Sequence, residues 1–359
     1  MSVNNLIDLY TEYLIVSPTQ TTATGFSRMV DNVISHDKIT RLLAGGSIDS
    51  KQLWQYVKPM CHEIQSEEGV LIIEDSVEEK QYTDQNALIN WHFDHCQGRC
   101  IKGVNFVSAI YHSKEISLPV SVEFVKKTIP YINKKGKPAY KSEKSKNELF
   151  RKMVGIARNN LYFKYVLADI WFSSAKNMSF IKQECRSDFI LAIKENRKVA
   201  LSEMDKKNGK YVNIKSLKLE GRALSVYFEQ LDFPVLICKQ VFKNKDGSTG
   251  ALYLASSDLS LSYEQITTIY KKRWRVEDFH KSIKSNLAFA KSPTKREVTQ
   301  QSHFMASIIA YVKLERMNVR FSKNHFALKG MLHIAATKAA YEEWQKLSTL
   351  NYDLLKKCA

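Results

Sequence analysis

Two apolar segments that each lead into an aspartate constrain the fold of this chain more than any other feature. The first covers residues 70–73, a short β-branched run that is followed by Glu74 and Asp75. The second covers residues 162–168 and is followed by Asp169. Apolar runs of this length predict buried central strands. Each strand would therefore carry a polar residue at its carboxyl end.

The pattern between and around these strands favours an α/β fold. Residues 148–159, which separate the two strands, have helical periodicity. Strands joined through a helix pair in parallel, and the carboxyl ends of parallel strands meet at one edge of the sheet. A helical prefix precedes this region, a strand-rich segment follows from about residue 187, and the remainder reads as helical.

The charge of the chain points to a polyanionic partner. The 359 residues include 54 Lys and Arg against 37 Asp and Glu, a formal net charge of +17. Nucleic acid and an anionic membrane surface are the common partners of such a chain. The longest apolar stretches, such as residues 304–312, are about half the length of a spanning helix. The first 16 residues lack the basic start of a signal peptide. The cytoplasm and nucleic acid are therefore favoured.

One cluster of metal-ligand types is weighed as an alternative site. His92, His95, Cys96 and Cys100 suit zinc chemically, but their spacing differs from that of a usual zinc finger. The simpler interpretation is a pair of strands that carries reduced thiols and polar side chains. Six cysteines in a chain of this length do not indicate a disulfide framework.

A predicted helix over residues 263–287 carries the most informative side chains. Ser262 and Gln265 form a capping-box pattern at its start. At 100° per residue, one face collects four polar residues, while the apolar residues form a separate stripe. The four are Tyr270, Arg273, Glu277 and Lys284. Arg and Lys neutralise phosphate oxygens, and a carboxylate beside them makes sense when it holds a divalent cation. The alternative is a surface ion pair between Arg273 and Glu277.

The spacing Tyr270-x2-Arg273-x3-Glu277-x6-Lys284 resembles, position for position, the Tyr-Arg-Glu-Lys signature of DDE transposases of bacterial insertion sequences. The group is called the insertion-sequence-four family. The resemblance implies an α/β protein with an RNase H-like catalytic core, a β-rich insertion, and helical N-terminal and C-terminal regions. The implied parts are residues 1–65, a helical DNA-binding region; 66–186, the first part of the core; 187–260, the insertion; 261–325, the second part of the core with the glutamate-bearing helix; and 326–359, a helical C-terminal region.

The resemblance also implies a catalytic triad of metal ligands. Asp75 and Asp169 match the two aspartates of the family, and Glu277 matches the glutamate. Glu74 and Asp188 are weaker rivals for the two aspartates. Three carboxylates can hold two Mg²⁺ or Mn²⁺ ions about 4 Å apart, which activate water against a phosphodiester and stabilise the leaving oxygen. The freed 3′-hydroxyl can then attack target DNA.

Several DNA contacts are expected with this reaction. Tyr270, Arg273 and Lys284 are implied by the resemblance to contact the transposon end, and pairing of two ends implies a homodimer. A Lys-rich segment, residues 126–146, reads as an exposed loop that contacts phosphate, with Lys134, Lys135 and Lys137 at its centre. The helices predicted at 37–43 and 51–64 suit a helix-turn-helix reader or a plain helical hairpin equally.

Three function classes remain open on this sequence. The first is a transposase that cuts terminal inverted repeats and joins them to target DNA. The second is an RNase H-like nuclease that cuts without joining. The third is an inactive protein that only binds transposon ends. On the helix predicted over residues 298–321, His303, Arg316 and Arg320 suit either DNA contact or a plain helix surface.

Overall fold

The described part of the chain forms eleven α-helices and thirteen β-strands. The computed structural model describes residues 2–94, 97–133, 136–243 and 246–358, and describes side chains as far as residue 348. The helices are α1 (Val3–Val16), α2 (Ala23–Met29), α3 (His36–Ala44), α4 (Ser50–Ile64), α5 (Lys146–Asn160), α6 (Ala175–Ser179), α7 (Glu203–Lys207), α8 (Tyr263–Lys271), α9 (Arg275–Asn286), α10 (Glu297–Phe321) and α11 (His325–Cys358).

The strands alternate with these helices in the middle of the chain. They are β1 (Val70–Glu79), β2 (Ile89–Asp94), β3 (Arg99–Ser113), β4 (Ile116–Phe124), β5 (Lys127–Ile132), β6 (Pro138–Ser142), β7 (Tyr165–Ala168), β8 (Asp188–Ile193), β9 (Lys198–Val199), β10 (Val212–Asn213), β11 (Leu224–Val226), β12 (Val235–Lys243) and β13 (Thr249–Ser256). The predicted α/β class is confirmed.

A nine-stranded mixed sheet contains most of the described strands. Its order is β11-β12-β13-β8-β7-β1-β3-β2, and β4 also pairs with β3. The β1–β7 and β7–β8 pairs are parallel, and the other pairs are antiparallel. Strands β1 and β7 are the two aspartate-bearing strands, and α5 lies between them in the chain. The parallel pairing predicted for them is confirmed.

Strand β1 lies between β7 and β3. Residues 70–73 are fully buried, because this part of the strand has a neighbour on each side and is covered on both faces. Pairing with β7 ends at Ile73, whereas pairing with β3 continues to Glu79. The prediction that Asp75 follows the end of its strand is therefore wrong. Asp75 lies within β1, just beyond the point where β7 stops.

The segment 187–260 does not form a sheet of its own. Its strands β8, β13, β12 and β11 extend the main sheet, and β9 and β10 form a separate two-stranded sheet. The hairpin predicted around residues 243–247 is present as β12 and β13, although residues 244 and 245 lie outside the described part.

The Lys-rich segment is largely exposed, as predicted, but it forms a β-hairpin, so the prediction of a loop is wrong. Strands β5 and β6 pair with each other, with Tyr131 opposite Ala139 and Ile132 opposite Pro138. The apolar run at residues 129–132, which becomes part of β5, is the strand signal that the surrounding lysines obscured. Lys134 and Lys135 lie outside the described residues, and Lys137 immediately precedes β6.

The chain divides into two compact units, Met1–Ile48 with Lys281–Ala359 and Asp49–His280. In the first, α10 packs on α1 and α3. His303 of α10 is fully buried: its Nε2 lies 2.9 Å from the carbonyl oxygen of Ala288, and its Nδ1 lies 2.9 Å from the hydroxyl of Tyr10. A carbonyl only accepts, so Nε2 donates and Nδ1 accepts from Tyr10. DNA contact by His303 is therefore excluded by its burial.

The second unit contains the whole sheet. Asp49 caps α4, which packs on β4, and α5 packs on β3 and β4. The helices predicted at 37–43 and 51–64 correspond to α3 and α4, which belong to different units. A helix-turn-helix role for them stays a prediction.

The described part of the zinc cluster does not converge. His92 lies opposite Ile101, and Cys100 lies opposite the next residue, Phe93, so the His92 and Cys100 side chains point to opposite faces of the β2–β3 hairpin. His92 is buried and Cys100 is exposed. The other two residues, His95 and Cys96, lie outside the described part. Within the described residues, no helix is long and apolar enough to cross a membrane.

Candidate active site

Asp169 and Asp75 come from neighbouring parallel strands. Ala168, the last residue of β7, pairs with Ile73, so the next residues on the two strands are Asp169 and Glu74. Asp169 is the N-cap of a short 3₁₀ turn, and its carboxylate accepts from the backbone N–H of Trp171 at 3.0 Å. The rival Asp188 starts β8 and pairs with Tyr165, at the opposite end of β7. Asp188 is therefore excluded from this group.

Glu74 and Asp75 point to opposite faces of β1, because successive side chains of a strand alternate. Asp75 shares its face with Asn105, whose Nδ2 lies 3.4 Å from Asp75 Oδ2. Glu74 pairs with Ser108, whose hydroxyl lies 3.0 Å from Nε2 of His280 on α9. The segment that contains α8 and α9 therefore covers the Glu74 face of the sheet.

Arg273 forms a close ion pair with Glu74, and 12% of each side chain is exposed. The same Nη1 lies 3.8 Å from Oε1 of Glu277, whose side chain is 49% exposed. The surface ion pair between Arg273 and Glu277 is thus the weaker of the two contacts. The Nε–H of Arg273 is buried and has no hydrogen-bond partner among the described residues.

The predicted helix over residues 263–287 is interrupted at its centre. The capping box of Ser262 and Gln265 is present, but a 3₁₀ turn at Lys272–Trp274 separates α8 from α9. A 3₁₀ turn advances about 120° per residue, so the single polar face deduced for a straight helix is not preserved. Tyr270, just before this turn, and Arg273, within it, both bond to residues of the sheet.

Tyr270 is buried, and its hydroxyl donates to the carbonyl oxygen of Ala168 at 3.2 Å. Ala168 directly precedes Asp169. In the described structure, Tyr270 therefore supports the strand end that carries Asp169. Phosphate contact by Tyr270 stays a prediction.

Lys146, the first residue of α5, brings a positive charge to Asp75. Its Nζ lies 2.5 Å from Asp75 Oδ2, and 5.5 Å from the centroid of the Trp171 ring. A capping box between Ser145 and Glu148 fixes the start of α5 at this point. The two aspartate-bearing segments and α5 therefore meet around one ammonium group.

The pKa shifts in this region reflect burial and a concentration of negatively charged side chains. Burial raises the pKa of Glu74 above its usual value; Arg273 opposes the shift, and the charges of Asp169, Glu277 and Asp75 add to it. Burial and the charge of Asp75 also raise the pKa of Asp169, against hydrogen bonds from Trp171 and Phe172. Burial alone would lower the pKa of Arg273, but Glu74, Tyr270 and Glu277 raise it. Glu74 thus lies within electrostatic range of Asp169, Glu277 and Asp75, and Asp169 lies within range of Asp75.

The chemistry of this region fits a hard divalent cation. Such ions take carboxylate and carbonyl oxygens. Besides the carboxylates, Oδ1 of Asn105 is buried and has no hydrogen-bond partner among the described residues. In the described part of the chain, no three His, Cys, Asp or Glu side chains already form a metal-binding group. The acids are instead held by Lys146 on one face of β1 and by Arg273 on the other.

The remaining predicted DNA contacts are Lys284 and the lysines of the Lys-rich segment. Lys284 is on α9, seven residues after Glu277, and belongs to the first compact unit. The hairpin of β5 and β6 exposes Tyr131, Ile132 and Tyr140, and Nζ of Lys141 lies 6.0 Å from the centroid of the Tyr131 ring. An exposed ribbon of lysines and aromatic rings suits a nucleic-acid surface.

Sequence reasoning misses two residues of the site. It treats Glu74 only as a rival of Asp75, and the partner of Glu74, Arg273, is 199 residues away. It counts Lys146 in the basic segment and starts the helix at residue 148, whereas α5 begins at Lys146. The Ser145-x-x-Glu148 pattern is a capping-box signal that would place Lys146 in the first turn of the helix.

The chain belongs to a known family. A family model described as DDE superfamily endonuclease matches residues 5–211, more than half of the chain, and a second, described as transposase DDE domain, matches residues 141–313. The protein is therefore a member of the DDE endonuclease superfamily, and its mixed α/β sheet is consistent with that membership. Asp169 lies in both matched regions, Asp75 in the first and Glu277 in the second. None of the curated proteins matches the chain.

Proposed function

We propose that the protein is a transposase that cuts DNA at the ends of an insertion sequence and joins the freed end to target DNA. The observation that carries this proposal is the grouping of acidic side chains around the β1–β7 strand pair. Asp75 and Asp169 raise the local negative potential, and Arg273 and Glu277 approach from the segment that follows β13. The two family matches support the same reaction class.

Asp75, Asp169 and Glu277 are the proposed metal ligands. When bound, Mg²⁺ or Mn²⁺ would supply charge neutralisation at the phosphodiester and an acidified water. Asp75 and Asp169 are fixed by the sheet, whereas the half-exposed Glu277 is accessible to solvent and substrate. The insertion-sequence-four family and its Tyr-Arg-Glu-Lys signature remain part of this proposal.

Arg273 is proposed to fix the position of the scissile strand. Its guanidinium is held against Glu74, and its unmatched Nε–H can donate to a phosphate oxygen. Tyr270 keeps the end of β7 in place beneath it. Lys284 and three lysines of the Lys-rich segment, Lys134, Lys135 and Lys137, are proposed to contact the DNA backbone. The helical region 1–65 is proposed to bind terminal repeats, and two copies of the chain to pair two ends.

A strand-transfer assay tests the proposal against its two alternatives. The labelled substrate is the DNA that flanks the gene, and the reaction contains Mg²⁺ and a target plasmid. A transposase gives cut and joined products, a nuclease gives cut products only, and an inactive end-binding protein gives neither. Glu277→Gln should abolish both products and leave DNA binding intact. The matched control is Asp278→Asn, which alters the neighbouring exposed acid and should retain activity. Normal cutting by Glu277→Gln would refute the proposed metal site.

A further inference from the structure

Lys146 occupies a position in the acidic region that the proposed reaction does not explain. Its side chain is 23% exposed and that of Asp75 is 18% exposed, so this ion pair is mostly withdrawn from water. The capping box at Ser145 and Glu148 anchors the backbone from which Lys146 extends. Lys146 is therefore held against Asp75 by the fold and is not a mobile surface lysine.

The ammonium lies between the two aspartate-bearing segments. On one side it contacts Oδ2 of Asp75, the oxygen that Asn105 also approaches. On the other side lies the ring of Trp171, two residues after Asp169. Oδ1 of the Asn105 amide is buried and unmatched among the described residues. The Lys146 ammonium therefore has around it the segments that carry Asp75 and Asp169 and the unmatched Oδ1 of Asn105.

We propose that Lys146 is a replaceable counter-ion: it neutralises Asp75 in the cation-free protein, gives up this carboxylate when a divalent cation binds, and then contacts the substrate phosphate. This inference rests on the proposed function. A buried carboxylate without a partner is strongly destabilising, so a provisional partner lets the fold form before a cation arrives. The released ammonium keeps its flexible four-carbon stem and can reach a nearby phosphate oxygen.

The two basic residues of the site, Arg273 and Lys146, differ in their exposure and in the carboxylate that each one contacts. Arg273 is 12% exposed and forms a charged pair with Glu74, which is not among the proposed metal ligands. Lys146 is about twice as exposed and pairs with Asp75, which is one of those ligands. An ammonium is also a compact and strongly hydrated point charge that leaves a carboxylate more readily than a planar guanidinium. Lys146 is thus the exchangeable cation and Arg273 the fixed one.

Binding of Mn²⁺ alone, measured by calorimetry on the full chain without DNA, tests the inference. Lys146→Met removes the competitor and should tighten Mn²⁺ binding about tenfold or more, as expected when one close opposite charge is removed. The matched control is Lys152→Met on the same helix, whose Nζ lies 2.6 Å from Glu123. Its Mn²⁺ affinity should change by less than about twofold, since exposed pairs couple weakly.

Measurements at high salt distinguish direct competition between Lys146 and Mn²⁺ for Asp75 from a long-range effect of the Lys146 charge. A long-range effect is screened at about 0.5 M salt, whereas direct competition for Asp75 persists. Persistence of the tightening supports the inference, and its disappearance overturns it. If Lys146→Met fails to fold, Lys146→Gln serves instead, because it keeps a hydrogen bond to Asp75 and loses only the charge. Fluorescence titrations with DNA in the presence of Ca²⁺ measure how DNA affinity depends on salt. The Lys146 variant should release about one counter-ion fewer than wild type on binding DNA.

Failure of this inference is distinguishable from failure of the proposed function. If wild-type protein and Asp75→Asn bind Mn²⁺ equally or not at all, Asp75 is not a metal ligand and both proposals fall. If Mn²⁺ binding depends on Asp75 but Lys146→Met binds no more tightly than wild type, only the role of Lys146 is overturned.

Discussion

The hydroxyl of Tyr270 donates to the carbonyl of Ala168, the residue that ends β7 immediately before Asp169. A side chain from the segment after the sheet thereby fixes the strand end that carries one of the two aspartates. This contact lies within one compact unit and connects residues 102 positions apart. It assigns Tyr270 a positioning role next to Asp169.

Tyr270→Phe should separate this role from contact with phosphate. Loss of the hydroxyl removes one hydrogen bond to a buried carbonyl and should lower the free energy of unfolding by about 1 kcal/mol. If Tyr270 acts through Asp169, Mn²⁺ affinity falls while DNA affinity without metal is unchanged. Titrations of the variant with each ligand decide the point. Weaker DNA binding with unchanged Mn²⁺ affinity would favour the phosphate role instead.

The buried pair of Glu74 and Arg273 should show strong thermodynamic coupling. Arg273→Met leaves a buried carboxylate without its partner and should lower the free energy of unfolding by about 3 kcal/mol. Adding Glu74→Gln should restore at least about 1 kcal/mol, because the uncompensated charge is removed. Urea unfolding of the two single variants and the double variant measures this coupling.

The control for this cycle is Arg275→Met. Arg275 pairs with Glu115 at the surface, where the side chains are 42% and 76% exposed. Its loss should change the free energy of unfolding by less than about 1 kcal/mol. Equal effects of Arg273→Met and Arg275→Met would contradict the buried character of the Glu74 pair.

His92 should make the fold sensitive to mild acid. Burial, together with the charges of Lys127 and Lys146, lowers its pKa to about 3. The unfolded chain takes up a proton on this imidazole below about pH 6.5, and the folded chain does not do so until about pH 3. Stability is therefore lost as the pH falls through this window, by about 2 kcal/mol at pH 5 relative to pH 7.5.

Urea unfolding of wild type and His92→Gln at pH 5 and pH 7.5 measures this contribution. The variant cannot take up the proton, so its loss of stability between the two pH values should be smaller by about the same 2 kcal/mol. A loss identical to that of wild type would show that His92 titrates normally in the folded protein.

Gly103 allows β3 to approach β1 closely. A Cβ at this position would lie 2.1 Å from the carbonyl oxygen of Glu78, so Gly103→Ala requires backbone movement. The free energy of unfolding should fall by about 1–3 kcal/mol. The control is Gly330→Ala in α11, where a Cβ meets no atom within 4 Å and alanine favours the helix. A lower unfolding temperature for Gly330→Ala than for Gly103→Ala would refute the close approach of β3 to β1.

The lysines of the Lys-rich segment, residues 126–146, should contribute to DNA affinity through their charge. Replacing Lys134, Lys135 and Lys137 by Gln should reduce the slope of log affinity against log salt by up to about 0.9 for each phosphate that is no longer neutralised. Fluorescence titrations between about 50 and 200 mM salt, a range over which such affinities change strongly, measure this slope. The control replaces Lys207, Lys210 and Lys218, and an equal change in both triple variants would assign the effect to net charge alone.

The sequence is sufficient to predict the elements that depend on local pattern. The apolar run 70–73, the segment that becomes β7 and the capping box at Ser262 each report burial or hydrogen bonding within a few residues. The parallel pairing of β1 and β7 follows because a helix separates them. These inferences need no knowledge of the rest of the fold.

The contacts that define the candidate site depend on tertiary structure. Lys146 reaches Asp75 across 71 residues, and Arg273 reaches Glu74 across 199. Periodicity along the chain carries no information about such partners. The 3₁₀ turn at Lys272–Trp274 escapes prediction for the same reason, since its anchors are on the sheet and not in the helix.

The wide spacing of the paired strands also determines the order of events during synthesis. Because β1 pairs with β7 almost a hundred residues later, this part of the protein folds slowly and only after a long segment has left the ribosome. Arg273 and Glu277 are translated about a hundred residues after Asp169. On the proposed assignment of the metal ligands, a nascent chain therefore carries its two aspartates long before the third acid exists, and the proposed metal site cannot be complete until α9 is made.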